Sequence, residues 1–193
     1  MKSICVFCGS SIGSDDAFRE AAASLGRLLA ERGIRLVYGG GKVGLMGVVA
    51  DAALQAGGEV LGIIPESLML KEVGHGSLTE LVITHTMHER KAAMADAAEG
   101  FVALPGGFGT LDELCEILTW AQLGIHQKPI GLLDTLNFFG QLTSFFDFVS
   151  AQGFIRPEHR SLLLEASSPG MLLDRMMDWK PTSVAKWADV AVR

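Results

Sequence analysis

Three shortages in this chain each remove a class of function. It has only three cysteines among its 193 residues, which fits a reducing compartment. It has no basic cluster: Lys and Arg never run beyond a pair and the net charge is −6, which argues against nucleic acid as the main partner. It also lacks a membrane-length apolar run, because Asp51 breaks one candidate and Asp134 with Asn137 breaks another. The N-terminus enters a strand-like run with one Lys and no small-residue cleavage pattern, so no signal peptide is expected and the protein should be cytoplasmic. The five histidines form no metal constellation: His85 and His88 are three apart, but no third ligand stands at a recognisable spacing. Neither a metal nor a cofactor is expected.

What is present is apolar and alternating. The hydrophobic fraction of 49% is high for a soluble monomer and hints at a buried subunit interface. The length suits one domain spanning 1–193, with about the last 15 residues as a peripheral tail. Strands are expected at Lys2 to Cys8, Arg35 to Tyr38, Val60 to Ile64, Leu81 to Thr84, Phe101 to Leu104 and Ile130 to Leu133. Helices are expected at Asp16 to Arg32 (capped by Ser14 or Asp15), Leu45 to Ala56, His88 to Ala98, Leu111 to Leu123 and Phe138 to Gln152. Alternation of this kind implies a Rossmann-like α/β fold, a doubly wound parallel sheet with helices on both faces. Ligands in such sheets bind beyond the carboxyl ends of the strands. The turns Gly9-Ser10-Ser11, Gly39-Gly40-Gly41 and Gly106-Gly107 all lie there, so Gly9, Ser10, Gly40 and Gly41 are candidates for a cleft floor.

Pro105-Gly106-Gly107-Phe108-Gly109-Thr110-Leu111-Asp112-Glu113 joins the Phe101 strand to a helix. A glycine-rich turn there leaves amide N–H groups unpaired and aimed outward, with the helix dipole adding positive potential. That is a phosphate site. Glu113 at its edge would repel the phosphate, so a functional Glu113 must face another part of the ligand. Thr110-x-x-Glu113 also spells a capping box, and the spacing leaves both roles open.

Met87, Arg90, Lys91 and Met94 share one face of the preceding helix, so two cations interrupt an apolar stripe. Either something anionic meets them or both snorkel with wet heads. Other motifs carry less. Cys5-Val6-Phe7-Cys8 lies in a strand, where residues three apart point to opposite faces, so it should be structural. Cys115 reads as core. Gly39-x-Gly41-x-x-Gly44 matches a dinucleotide fingerprint but follows the second strand, and Glu66 lies beyond Pro65 and not at a strand tip. Lys42 is followed by Val43, which excludes a P-loop.

Met87-His88-Glu89-Arg90-Lys91 followed by Pro105-Gly106-Gly107-Phe108-Gly109-Thr110-Leu111-Asp112-Glu113 closely resembles the pattern of the LONELY GUY (LOG) family, long labelled "lysine decarboxylase-like". The likeness extends to Cys8-Gly9-Ser10-Ser11, Tyr38-Gly39-Gly40-Gly41, Gly44-Leu45-Met46-Gly47, Ile64-Pro65 and Thr119-Trp120-Ala121-Gln122-Leu123-Gly124. The resemblance implies a phosphoribohydrolase that cuts the N-glycosidic bond of a purine nucleoside 5′-monophosphate, a cytokinin riboside monophosphate or AMP. Free base and ribose 5-phosphate are the products. It carries catalytic roles onto Arg90 and Glu113, and substrate contacts onto Glu72, Lys91, Gly107, Phe108, Gly109, Thr110, Leu111, Asp112 and Thr119. It also implies a homodimer with the pocket near the interface. The decarboxylase label would need a Schiff-base lysine with a partner for the pyridine ring, and no residue stands out for that. The alternative is a nucleotide- or molybdenum-cofactor-binding carrier on the same fold, which needs the glycine loop but not the acid.

Overall fold

The structure, a computed structural model, describes residues 1–69 and 74–181. Its elements run β1 (Ser3–Phe7), α1 (Asp16–Glu31), β2 (Arg35–Tyr38), α2 (Gly44–Gln55), β3 (Val60–Pro65), α3 (Glu66–Met69) and β4 (Glu80–Thr84). They continue with α4 (Met87–Ala97), β5 (Phe101–Ala103), α5 (Phe108–Gln122), β6 (Ile130–Leu133), α6 (Gly140–Ala151), α7 (Pro157–Arg160), β7 (Leu163–Ala166) and α8 (Pro169–Asp178). Seven parallel strands form one sheet in the order β4-β3-β2-β1-β5-β6-β7. The chain winds outward from β1 in one direction, then returns through α4 to β5 on the other side. The sheet is Rossmann-like and doubly wound, as the alternation implied.

Period-two alternation explains the two cores. Ile4, Val6 and Cys8 join the cluster beneath α1, α2 and α8, whereas Cys5 and Phe7 join the cluster beneath α4 and α5. Each fully buried Leu, Ile or Phe in these layers contributes roughly 2 kcal/mol of transfer free energy. Cys5 and Cys8 therefore sit on opposite faces as free thiols, and burial pushes both thiol pKa values up. The Cys-x-x-Cys is structural.

Several boundaries differ from the sequence reading. Asp15 is the α1 cap, its carboxylate accepting from Ala17 N at 2.9 Å. β7 and α8 were not expected. Leu163-Leu164-Glu165-Ala166 consists of good helix formers, and pairing with β6 makes it a strand. α8 begins with Pro169 after Ser168, a helix-start signal legible in principle, and buries Leu172, Leu173 and Met176. Cys115 is exposed, not core, because α5 buries the stripe Thr110, Leu114 and Ile117 and Cys115 falls off it. No helix among the described residues is long and apolar enough to cross a membrane. Most of the expected peripheral tail lies outside the described residues.

A capping arrangement fixes the start of α4. Thr86 Oγ1 accepts from Glu89 N at 3.1 Å, and Glu89 Oε2 accepts from His85 N at 2.9 Å. This turn aims the next residue, Arg90, at the carboxyl edge of the sheet. Thr86→Ala should cost about 1 kcal/mol by loss of the cap. A lowered urea midpoint with an unchanged slope would show it, and an unmoved midpoint would place no weight on the cap.

Candidate active site

The cleft opens where β1 and β5 lie side by side and their loops diverge, the switch point of the winding. Its lining includes Gly9 and Ser10 after β1, Gly39 after β2, Arg90 and Met94 from α4, and Gly107 to Thr110 with Glu113 from α5. The open space is about 620 Å³.

α5 starts at Phe108, three residues earlier than the Leu111 expected from periodicity, and Gly107 holds the N-cap position without a capping side chain. Thr110 is therefore inside the helix, and its side chain is buried under the loop. A Cβ on Gly106 would lie 2.1 Å from Thr110 Oγ1, so only glycine lets the loop close down on that hydroxyl. The capping-box reading of Thr110-x-x-Glu113 fails, because Thr110 is not the cap and Glu113 lies more than a turn into the helix. By contrast Gly107 and Gly109 face open space, which leaves the first amides of α5 approachable by an anion. Phe108 between them is 94% exposed.

Arg90 is only 8% exposed. Its Nε donates to Ile63 O at 3.2 Å, Nη2 to Gly39 O at 3.4 Å and Nη1 to Met87 Sδ at 3.4 Å. Nη2 also lies 3.9 Å from Glu113 Oε1, close enough for charge attraction but too long for a hydrogen bond. Burial pushes the Glu113 carboxyl up to about 7, against the opposing pull of Arg90 and, less strongly, Lys91. The acid is thus poised between its two forms near neutral pH.

The two cations part company. Lys91 Nζ is bound by Asp112 at 2.6 Å and Glu116 at 3.4 Å, outside the cleft. Asp112 and Glu116 thus answer Lys91, while Arg90 turns inward to Glu113. Leu111 and Asp112 do not line the cleft, and neither do Gly40 or Gly41. Thr119 donates to Cys115 O at 2.7 Å and lines a separate groove with Leu118, Phe146 and His159. Glu72 lies outside the described residues. Gly39 and Met46 line the cleft and were not among the candidate site residues, although the triple glycine after β2 and the Gly44-Leu45-Met46-Gly47 run carried them in the sequence. Among the described residues, no group of three His, Cys, Asp or Glu side chains is placed to hold a metal ion.

A family model described as "possible lysine decarboxylase" matches residues 46–176, the part that carries Arg90 and Glu113. A cytokinin riboside 5′-monophosphate phosphoribohydrolase of Arabidopsis thaliana is 46% identical over 194 residues, covering 98% of this chain and 89% of the relative. The chain belongs to the LONELY GUY family. A probable cytokinin riboside 5′-monophosphate phosphoribohydrolase of Oryza sativa subsp. japonica is 49% identical over 173 residues, with 90% of this chain and 78% of the relative covered. Among solved structures, the molybdenum cofactor carrier protein of Chlamydomonas reinhardtii has a TM-score of 0.69 at 21% identity, covering 92% of this chain and 99% of the carrier. The molybdenum cofactor binding protein of Rippkaea orientalis scores 0.68 at 23% identity, covering 92% and 96%. At such identities the likeness shows the fold alone.

For this LONELY GUY family member the setting of Glu113 makes stability depend on pH. Between the ordinary value of 4.5 and about 7 the unfolded chain releases this proton while the folded chain keeps it. The favourable contribution is full below that window and is lost as pH rises through it. Glu113→Gln does not titrate, so its melting temperature relative to wild type should climb across the window and then level off. A difference that stays flat with pH would show that the carboxyl titrates normally.

Proposed function

We propose that this chain is a phosphoribohydrolase, cleaving the N-glycosidic bond of a purine nucleoside 5′-monophosphate, a cytokinin riboside monophosphate or AMP. The observation that carries this reading is a largely buried carboxylate beside a buried guanidinium, both facing an anion site at a helix N-terminus. Cleavage of a nucleoside monophosphate at its glycosidic bond can use all three: an anchor for the phosphate, an acid beside the ribose and a cation beside the base. The phosphate takes the amides of Gly107 and Gly109 and the turn at Thr110, which sets the ribose against Glu113. The sugar passes through an oxocarbenium-like state, stabilised by the carboxylate. Water adds its oxygen to the anomeric carbon and the glycosidic electron pair leaves with the base. The water proton passes to Glu113 and then to the departing base nitrogen, so the acid is restored. Arg90 holds Glu113 ionised enough to act and stabilises charge on the leaving base.

Lys91, Leu111 and Asp112 support the site from outside: the Lys91–Asp112 pair ties α4 to α5 and so sets the spacing of Arg90 and Glu113. We take the protein to be a homodimer, with Thr119 and Glu72 serving a pocket near the interface. Exposed Phe108, Phe145, Phe148 and Phe154 supply the apolar surface such an interface needs. Free thiols and the absence of a basic cluster fit a cytoplasmic enzyme that acts on small nucleotides.

Two measurements test this. Free base released from AMP and from a cytokinin riboside monophosphate should be readily detected, whereas adenosine, lacking the anchoring anion, should fall by at least about two orders of magnitude in kcat/KM. Equal rates for AMP and adenosine would sink the phosphate anchor, and no base from any of them would sink the reading. Glu113→Gln should lower turnover on the order of a hundredfold or more while nucleotide still binds. Arg90→Lys should not restore what Arg90→Ala loses, because a point charge cannot reach Ile63 O, Gly39 O and Glu113 together.

A further inference from the structure

The glycine motif after β2, Gly39-x-Gly41-x-x-Gly44, has the spacing of a dinucleotide fingerprint, yet its first glycine meets an arginine. A Cβ built on Gly39 would stand 2.0 Å from Arg90 Nη2 and 3.2 Å from Arg90 Cζ. Its other near neighbour, Met46 Sδ at 3.5 Å, is at ordinary contact distance. Gly40 has φ +76° and needs glycine for its backbone. Gly39 has no such need, since its φ lies outside the left-handed region. What excludes a side chain at Gly39 is therefore space, and the guanidinium occupies that space.

The turn cannot retreat to make room. His75 N donates to Gly40 O at 3.2 Å, Gly41 bridges Gly74, and His75 Nε2 is paired with Asp51 at 2.9 Å. On the other side Tyr38 is paired in the sheet with Val6 and Gly62. The arginine is the movable partner, a flexible side chain against a pinned backbone.

We infer that Gly39 is a positioning residue for the reaction: its missing side chain forms the seat of the Arg90 guanidinium, and its carbonyl, with Ile63 O, fixes the direction in which Nη2 meets Glu113. This rests on the phosphoribohydrolase reading for its effect on turnover, but not for its effect on Arg90. Gly39→Ala should expel the guanidinium from its seat while the fold survives. Turnover should fall on the order of a hundredfold. The loss should not add to that of Arg90→Ala, because both variants remove the same group.

The experiment is a double-mutant cycle of Gly39→Ala and Arg90→Ala, with melting curves, release of base from AMP, and an NMR titration of the Glu113 carboxyl. The charged neighbours of that carboxyl are Arg90 and Lys91 on α4 and Asp112 and Glu116 on α5, and only Arg90 touches Gly39. Expelling Arg90 should move the Glu113 titration upward in Gly39→Ala, with no further shift on adding Arg90→Ala. A glycine kept for backbone reasons would not move it. Should Gly39→Ala fail to fold, the double variant decides, because truncating Arg90 frees the space for the methyl group. A double variant that folds supports the seat, and one that still fails overturns it. Full turnover in Gly39→Ala, or an additive loss, also overturns it. If the wild type releases no base, the functional reading fails while the titration still decides whether Gly39 seats Arg90.

Discussion

The buried contact between Arg90 and Glu113 is the constraint around which this edge of the molecule is arranged. Taking a guanidinium and a carboxylate out of water costs several kcal/mol each, and a pair held at 3.9 Å without a direct hydrogen bond offsets only part of it. The remainder is met by backbone: Ile63 in β3 and Gly39 after β2 each turn a carbonyl to the guanidinium. The carboxyl is left undercompensated, and its pKa rises to about 7 as a result. An apolar pair of equal volume would serve the fold as well or better. Two charges kept in such a place are what the proposed chemistry asks for.

The winding of the sheet makes that contact possible. Because β1 and β5 are neighbours although the chain runs through three other strands between them, the loops after both strands part over one crevice. α4 must cross back from β4 to reach β5, and its first turn, fixed by Thr86 and Glu89, passes over the ends of β3 and β2. α5 leaves β5 through Gly106 and Gly107 directly beside it. Lys91, Asp112 and Glu116 hold the two helices together on the outer side. The inner side is left to Arg90 and Glu113.

Most of this was legible in the sequence wherever one residue type had one physical explanation. Short continuous apolar runs located six of the seven strands, and Pro105 to Glu113 marked the anion site. Where one pattern had two explanations, the chain alone could not choose. Thr110-x-x-Glu113 fits a capping box as well as it fits an acid in a pocket, and only the earlier helix start at Phe108 separates them. Arg90 and Lys91 are one residue apart and identical in charge, yet one turns to the sheet and the other to α5. That division depends on acids 21 and 25 residues beyond Lys91, at Asp112 and Glu116. β7 escaped because Leu, Glu and Ala carry no strand signature, and its place is set by a partner strand.

The shared fold and the divergent names of its neighbours are reconciled at this same edge. The likeness to the molybdenum cofactor carriers is one of fold over 92% of this chain, and a glycine-rich turn leading into a helix is one way such a sheet can hold an anion. Holding a ligand asks no more than that. A carboxylate six residues into the same helix, buried and poised near neutrality, works against simple retention, since it adds negative charge beside an anionic ligand. It becomes useful only when the bound group develops positive charge, as a ribosyl centre does when its base departs. On the proposed function the glycine turn supplies binding, and the largely buried acid with its arginine supplies turnover.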